Sequence, residues 1–157
     1  MKKYLIDFDG VVLDSQAKFD EVMNGNKNFF DWEKYLNSIN WHEFYKSCNE
    51  IDEAFSTLYK LQITDKLLGF LTTIHSFDEG REKASILRLN KIDVPIIFVL
   101  PHQSKSLIFP PRPNITLVDD KIENCHEYEK HGGEALVFKP DAIKKSKKIV
   151  KSLKELL

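Results

Sequence analysis

Asp7 and Asp9 stand one residue apart directly after the apolar run Tyr4-Leu5-Ile6, and Gly10-Val11-Val12 follows them. Side chains alternate along an extended strand, so both carboxylates point the same way, and Gly10 lets the chain turn sharply without the penalty of a Cβ. Like charges held that close repel unless a cation lies between them or one keeps its proton. Either outcome suits catalysis, with one carboxylate as a metal-bound nucleophile and the other giving and taking a proton. Asp and Gly also close strands for purely local reasons, and the tetrad alone does not separate the two readings. A second apolar run, Ile115-Thr116-Leu117-Val118, ends in Asp119-Asp120. An α/β domain gathers its ligands at the carboxyl ends of parallel strands, which puts both acidic pairs at one edge of the sheet. Three or four carboxylates converging there, with phosphate and water completing an octahedron, suit Mg²⁺ far better than zinc.

Such a site needs a buried parallel sheet, and five apolar runs can supply its strands: residues 3 to 8, 67 to 72, 95 to 100, 115 to 119 and 135 to 138. They are continuous rather than alternating, as strands covered on both faces should be. Helices are expected between them. Ser76 caps one through about Asn90, with Ala84, Ile86, Leu87 and Leu89 inward; another spans 120 to 131 and stops at Gly132-Gly133; Asp141 caps a last one through Leu157. This alternation predicts a three-layer α/β domain around a parallel sheet.

Residues 14 to 62 break the rhythm, being far longer than one crossover helix requires. Phe19, Phe29, Phe30, Trp32, Tyr35, Trp41, Phe44, Tyr45, Phe55 and Tyr59 crowd into this segment. It reads as a small helical cap, so that 1–13 and 63–157 form the catalytic core. The aromatics are expected to be the cap's own core, with stacking on a substrate ring as the second reading.

At 157 residues, 42% of them hydrophobic, the chain suffices for one globular domain with a modest appendage. A net charge of −1 offers no overall electrostatic case for nucleic acid or membrane. The Lys-rich face near the C-terminus, Lys144, Lys145, Lys147, Lys148, Lys151 and Lys154, reads as the solvated side of an amphipathic helix. Cys48, Cys125 and the five histidines lack the repeated spacing of a soft-metal site. With two cysteines and no signal-like stretch at Met1-Lys2-Lys3, a reduced, cytoplasmic protein is expected.

Further groups then fall into order. Thr72 or Thr73 ends the second strand beside Asp7, where a hydroxyl can meet a phosphate oxygen. The loop after the third strand carries Lys105, and a cation is needed opposite a phosphoryl group that faces several carboxylates. Lys83 is its rival, less favoured for its mid-helix place. With Asp7-Phe8-Asp9-Gly10-Val11-Val12-Leu13-Asp14-Ser15, Phe70-Leu71-Thr72-Thr73, Lys105, and Leu117-Val118-Asp119-Asp120 plus Asn124, the chain resembles the haloacid dehalogenase superfamily of phosphohydrolases over nearly its whole length. It resembles, more distantly, the 5'(3')-deoxyribonucleotidase-like branch. The resemblance implies a Rossmann-like sheet in the order 5-4-1-2-3. It implies that Asp7 attacks phosphorus to give an aspartyl-phosphate while Asp9 protonates the leaving group and then activates water. Thr72 and Lys105 would hold phosphoryl oxygens, and Mg²⁺ would be held by Asp7, the Asp9 carbonyl, and Asp119 or Asp120. The expected substrate is a small phosphorylated metabolite, first a nucleoside monophosphate, then a sugar phosphate, with a nucleic-acid 3'-end as an outsider. Carbon–halogen cleavage does not need Asp9, and a response-regulator receiver carries its acidic pair first rather than last. A non-catalytic binding protein on the same fold is the third class considered.

Overall fold

The computed structural model describes residues 1–25, 32–143 and 148–157. Six strands, β1 (Lys3–Ile6), β2 (Leu67–Thr73), β3 (Ile96–Val99), β4 (Ile115–Asp119), β5 (Glu134–Phe138) and β6 (Ile149–Val150), form one sheet in the order β3-β2-β1-β4-β5-β6. Every pairing is parallel. The five expected strands stand in the expected order, and β6 is added outside β5.

Alternation along the central strands divides the core between two faces. Leu5, Leu71 and Leu117 enter one buried cluster with Cys125 and Tyr128. Ile6, Phe70 and Val118, each one position away, enter the other with Phe19, Trp41, Leu58, Leu61 and Leu87. With both faces covered, the strands carry apolar residues on each side, which is why their sequences read as unbroken apolar runs.

Between β1 and β2 run α1 (Ser15–Gly25), α2 (Trp32–Ser38), α3 (Trp41–Lys46) and α4 (Ala54–Ile63). Asn40 caps α3 by accepting the Glu43 N–H at 3.1 Å. Phe19, Trp41, Tyr45, Ala54, Leu58 and Leu61 share their buried cluster with Ile6, Phe8 and Phe70, so these helices pack directly onto one face of the sheet. Phe29 and Phe30, and the side chain of Trp32, lie outside the described residues.

After β2 come α5 (Phe77–Leu89), α6 (Lys105–Ile108) and α7 (Ile122–Lys130). Ser76 caps α5 as expected, its side chain accepting the Glu79 N–H. The inward face of α5 differs from expectation: Glu79, Lys83 and Leu87 are buried, whereas Leu89 is 80% exposed. Positions four apart share a helix face, and the face that carries Leu87 is set by two charged residues that apolar patterning passes over.

The expected C-terminal helix is corrected by the structure. Ile143 is fully exposed, and the chain reaches β6, where the Val137 N–H donates to the Lys148 carbonyl and the Lys139 N–H to that of Val150, both at 2.8 Å. A 3₁₀ turn, Leu153–Leu156, capped by Ser152, closes the described chain. The driving forces are the open hydrogen-bonding edge of β5, which β6 covers, and burial of Val150, Leu153 and Leu156. Lys144, Lys145 and Lys147 lie outside the described residues. Among those described, no helix is long and apolar enough to cross a membrane.

Candidate active site

Asp7 directly follows β1 and its N–H donates to the Val118 carbonyl on β4 at 2.9 Å, so the end of β1 is pinned beside the end of its neighbour. Asp119 is the last residue of β4. Oxygens of Asp7, Asp119 and Asp120 lie within 4.8 Å of one another. Gly10 makes room for this: its φ is +74°, and a Cβ there would stand 2.3 Å from Asp120 Oδ2.

Asp119 is fixed on every side. Its Oδ1 accepts the Lys121 N–H at 2.9 Å and Asn124 Nδ2 at 3.1 Å, and its Oδ2 accepts Lys105 Nζ at 2.6 Å. Lys105, at the start of α6, also lies 3.1 Å from Asp7 Oδ2. Burial pushes the Lys105 ammonium toward neutrality, but Asp7 and Asp119 outweigh that and hold its pKa above the usual value. Burial is also the main cause raising Asp7 to about 6, aided by Asp119 and Asp9 and opposed by Lys105. Burial, then Asp7 and Asp119, raise Asp120 to about 7.

Asp120 Oδ1 is buried and has no hydrogen-bond partner among the described residues. A buried carboxylate that keeps one oxygen without a partner and is grouped with two further carboxylates is what a hard divalent cation would satisfy, so the donor set fits Mg²⁺. Among the described side chains, the carboxylates of Asp7, Asp119 and Asp120 are grouped closely enough to hold it, with the expected Asp9 carbonyl as a further ligand from the backbone.

The Asp9 carboxylate has different partners. Its Oδ1 accepts the hydroxyls of Ser15 at 2.6 Å and Tyr45 at 3.0 Å, and its Oδ2 accepts Lys83 Nζ at 2.6 Å. Burial acts to raise its pKa, but the charge and hydrogen bond of Lys83, with the bonds from Ser15 and Tyr45, overcome this and lower it. Lys83 is wholly buried; it also reaches the Thr73 carbonyl at 2.6 Å, Glu79 Oε1 at 3.0 Å and Thr72 Oγ1 at 3.1 Å. Lys105 and Lys83 therefore both stand at the site, the first on Asp7 and Asp119, the second on Asp9. Thr72 is buried with its hydroxyl on Lys83, whereas Thr73 is half-buried and lines the cavity over the site.

A cavity of about 370 Å³ opens over these groups, lined by Asp7, Asp9, Thr73 and Lys105 and also by Gln16, Phe19, Asp20, His75, Pro101 and Gln103. Phe19 brings the helical segment to this wall. Trp41 does not line it; it is buried against Phe19, Phe44, Tyr45 and His75, which makes it part of the core. Residue-type reasoning overlooked Glu79, Tyr45, Ser15 and His75. One signal was available, the four-residue spacing of Glu79 and Lys83 on the face of α5 that also carries Leu87.

No family model matches the chain, and no curated protein matches it. Solved structures do. The candidate HAD-hydrolase YfnB from Bacillus subtilis, solved bound to magnesium, superposes with a TM-score of 0.65 at 14% identity, covering 99% of this chain and 96% of that one. A candidate β-phosphoglucomutase from Thermotoga maritima gives 0.61 at 14% identity, with 99% and 96% covered. A HAD-superfamily hydrolase from Ehrlichia chaffeensis gives 0.59 at 14% identity, with 99% and 95% covered. The chain thus has the α/β fold of the haloacid dehalogenase-type hydrolases.

Proposed function

We propose that this protein is a Mg²⁺-dependent phosphomonoester hydrolase working through an aspartyl-phosphate on Asp7. The observation that carries the reading is the placement of Asp7 at the carboxyl end of β1, 3.1 Å from the Lys105 ammonium and grouped with Asp119 and Asp120. The fold shared with hydrolases supports it. Bound at Asp7, Asp119 and Asp120, Mg²⁺ would neutralise charge on the phosphoryl oxygens and orient them.

An Asp7 oxygen attacks phosphorus, and the bond to the leaving oxygen breaks as that oxygen takes a proton through Asp9, which is a carboxylate in the free site and accepts that proton from the singly protonated phosphomonoester when it binds. Water then attacks phosphorus and gives a proton to Asp9, the Asp7–phosphorus bond breaks, and the proton leaves with the inorganic phosphate, which returns Asp9 to its carboxylate form. Lys105 supplies positive charge to the phosphoryl group, and the hydroxyl of Thr73 or Thr72 holds one of its oxygens. Segment 14–62 acts as a cap over the core formed by 1–13 and 63–157, shielding the phosphoryl group from water. Its Phe19, with Gln16 and Asp20, meets the rest of the substrate. A cavity near the small end of the usual range suits a small phosphorylated metabolite. A nucleoside monophosphate, its base against Phe19, is compared first with sugar phosphates, since apart from Phe19 and Pro101 the lining side chains are polar. A nucleic-acid 3'-end, or ligand binding without turnover, would take second place.

The test is hydrolysis of a generic aryl phosphate and of a panel of phosphorylated metabolites, compared by kcat/KM, with and without EDTA. Chelation and Asp7→Asn should each abolish turnover; activity indifferent to both would sink the proposal. Measurable ligand affinity with no turnover of any ester would favour the binding reading, and a tenfold preference for sugar phosphates would displace the nucleotide.

A further inference from the structure

Asp9 is held by three elements outside β1. Ser15 comes from the start of α1, Tyr45 from α3 and Lys83 from the middle of α5. Behind them stands Glu79, itself wholly buried, whose Oε1 meets both Lys83 Nζ at 3.0 Å and the Tyr45 hydroxyl at 3.2 Å. Its Oε2 accepts the His75 backbone N–H at 2.6 Å, which ties the cluster to the turn after β2.

The arrangement is costly as a means of joining helix to sheet. Taking an ammonium and two carboxylates out of water carries a large desolvation penalty, and well-packed apolar side chains often do the structural task equally well. Lys83 is also barred from touching substrate. It has three protons and already has four oxygens around it, those of Asp9, Glu79, Thr72 and Thr73, and it is absent from the cavity wall. What the cluster does control is one short side chain. A lone aspartate beside the Gly10 turn has several staggered orientations open to it. With Oδ2 held by Lys83 and Oδ1 by Ser15 and Tyr45, a single orientation is left.

We propose that Lys83, Glu79 and Tyr45 form a positioning clamp that fixes the Asp9 carboxylate for proton transfer, so that the helical segment 14–62 supplies, through Tyr45, part of the order of the catalytic centre. This rests on the hydrolase reading above. Lys83 and Tyr45 are positioning residues, acting through Asp9, and Glu79 acts through both.

The test combines Lys83→Met, Tyr45→Phe and Asp9→Asn, singly and with Asp9→Asn joined to each of the others. Loss of alignment should lower kcat by about 10- to 100-fold for Lys83→Met, and by less for Tyr45→Phe, while KM moves by no more than about twofold. In the Asp9→Asn background both losses should nearly vanish, because the clamp then has no carboxylate to orient. Unchanged kcat in the single variants, or the same losses with Asn at position 9, would overturn the clamp; the latter would place Lys83 on the substrate instead. If Lys83→Met does not fold, Tyr45→Phe, which keeps the packed ring, decides by the same criteria. If the unmodified protein turns over no phosphate ester, the hydrolase reading fails first, and the clamp is judged by crystal structures of the variants. An Asp9 carboxylate that leaves its bond to Ser15 supports it, and one that stays in place overturns it.

Discussion

Gly10→Ala separates the carboxylate cluster from the turn that carries it. The substitution has two costs of different kinds. At φ +74° an L-residue is strained, by about 1–2 kcal/mol, which for a chain of this length lowers Tm by roughly 2–8 °C. The added methyl would also stand 2.3 Å from Asp120 Oδ2 and 2.7 Å from its Cγ, so the carboxylate must retreat by about 1 Å to reach ordinary contact. That movement displaces the Asp120 carboxylate from its place beside Asp7 and Asp119. Mg²⁺ affinity should fall by about 10- to 100-fold, the scale of losing an important support of a metal site. At saturating Mg²⁺ each tenfold loss removes about 1.4 kcal/mol of ligand stabilisation. Gly132→Ala is the control, because Gly132 has φ +84° with nothing near its absent Cβ. Both variants should melt earlier in EDTA. Only Gly10→Ala should lose the rise in Tm produced by added MgCl₂, and calorimetric titration should give the matching change in Kd. Equal Mg²⁺ responses in the two variants would refute the assignment of Asp120 to the metal.

In EDTA, melting temperature should fall as pH is raised from about 5 to 8. Asp7 and Asp120 are raised to about 6 and about 7 in the fold from an ordinary 3.8, so over that window the folded chain binds more protons than the unfolded one and loses stability as they leave. Saturating Mg²⁺ should flatten the slope, and a melting profile that rises with pH in EDTA would contradict the carboxylate cluster. Asp9→Asn should lower kcat by about 10²-fold while leaving Mg²⁺ affinity nearly unchanged, because its side chain stands on Lys83 rather than among Asp7, Asp119 and Asp120. A comparable loss of Mg²⁺ affinity would place that side chain, and not only the Asp9 carbonyl, on the metal.

The sheet was legible because burial on both faces leaves unbroken apolar runs, and the acids and hydroxyls follow directly from strand ends. The C-terminus was not legible in the same way. A helix from Asp141 has plausible spacing, and only the uncovered edge of β5, a feature of the assembled sheet, recruits Ile149–Val150 as a strand. Lys83 shows the same limit more sharply. Local pattern assigns a charged residue in the middle of α5 to solvent, and that assignment holds for Arg81 and Arg88 on the same helix, both exposed. Lys83 differs because tertiary packing brings Asp9, from a loop 74 residues away, to within 2.6 Å of it, and Glu79 one turn earlier shares the burden. Charge that pays for burial through a distant partner leaves no trace in hydropathy. What does remain in the sequence is a Glu and a Lys four apart, in register with Leu87, and that face can be recognised only once Asp9 is known to need a partner.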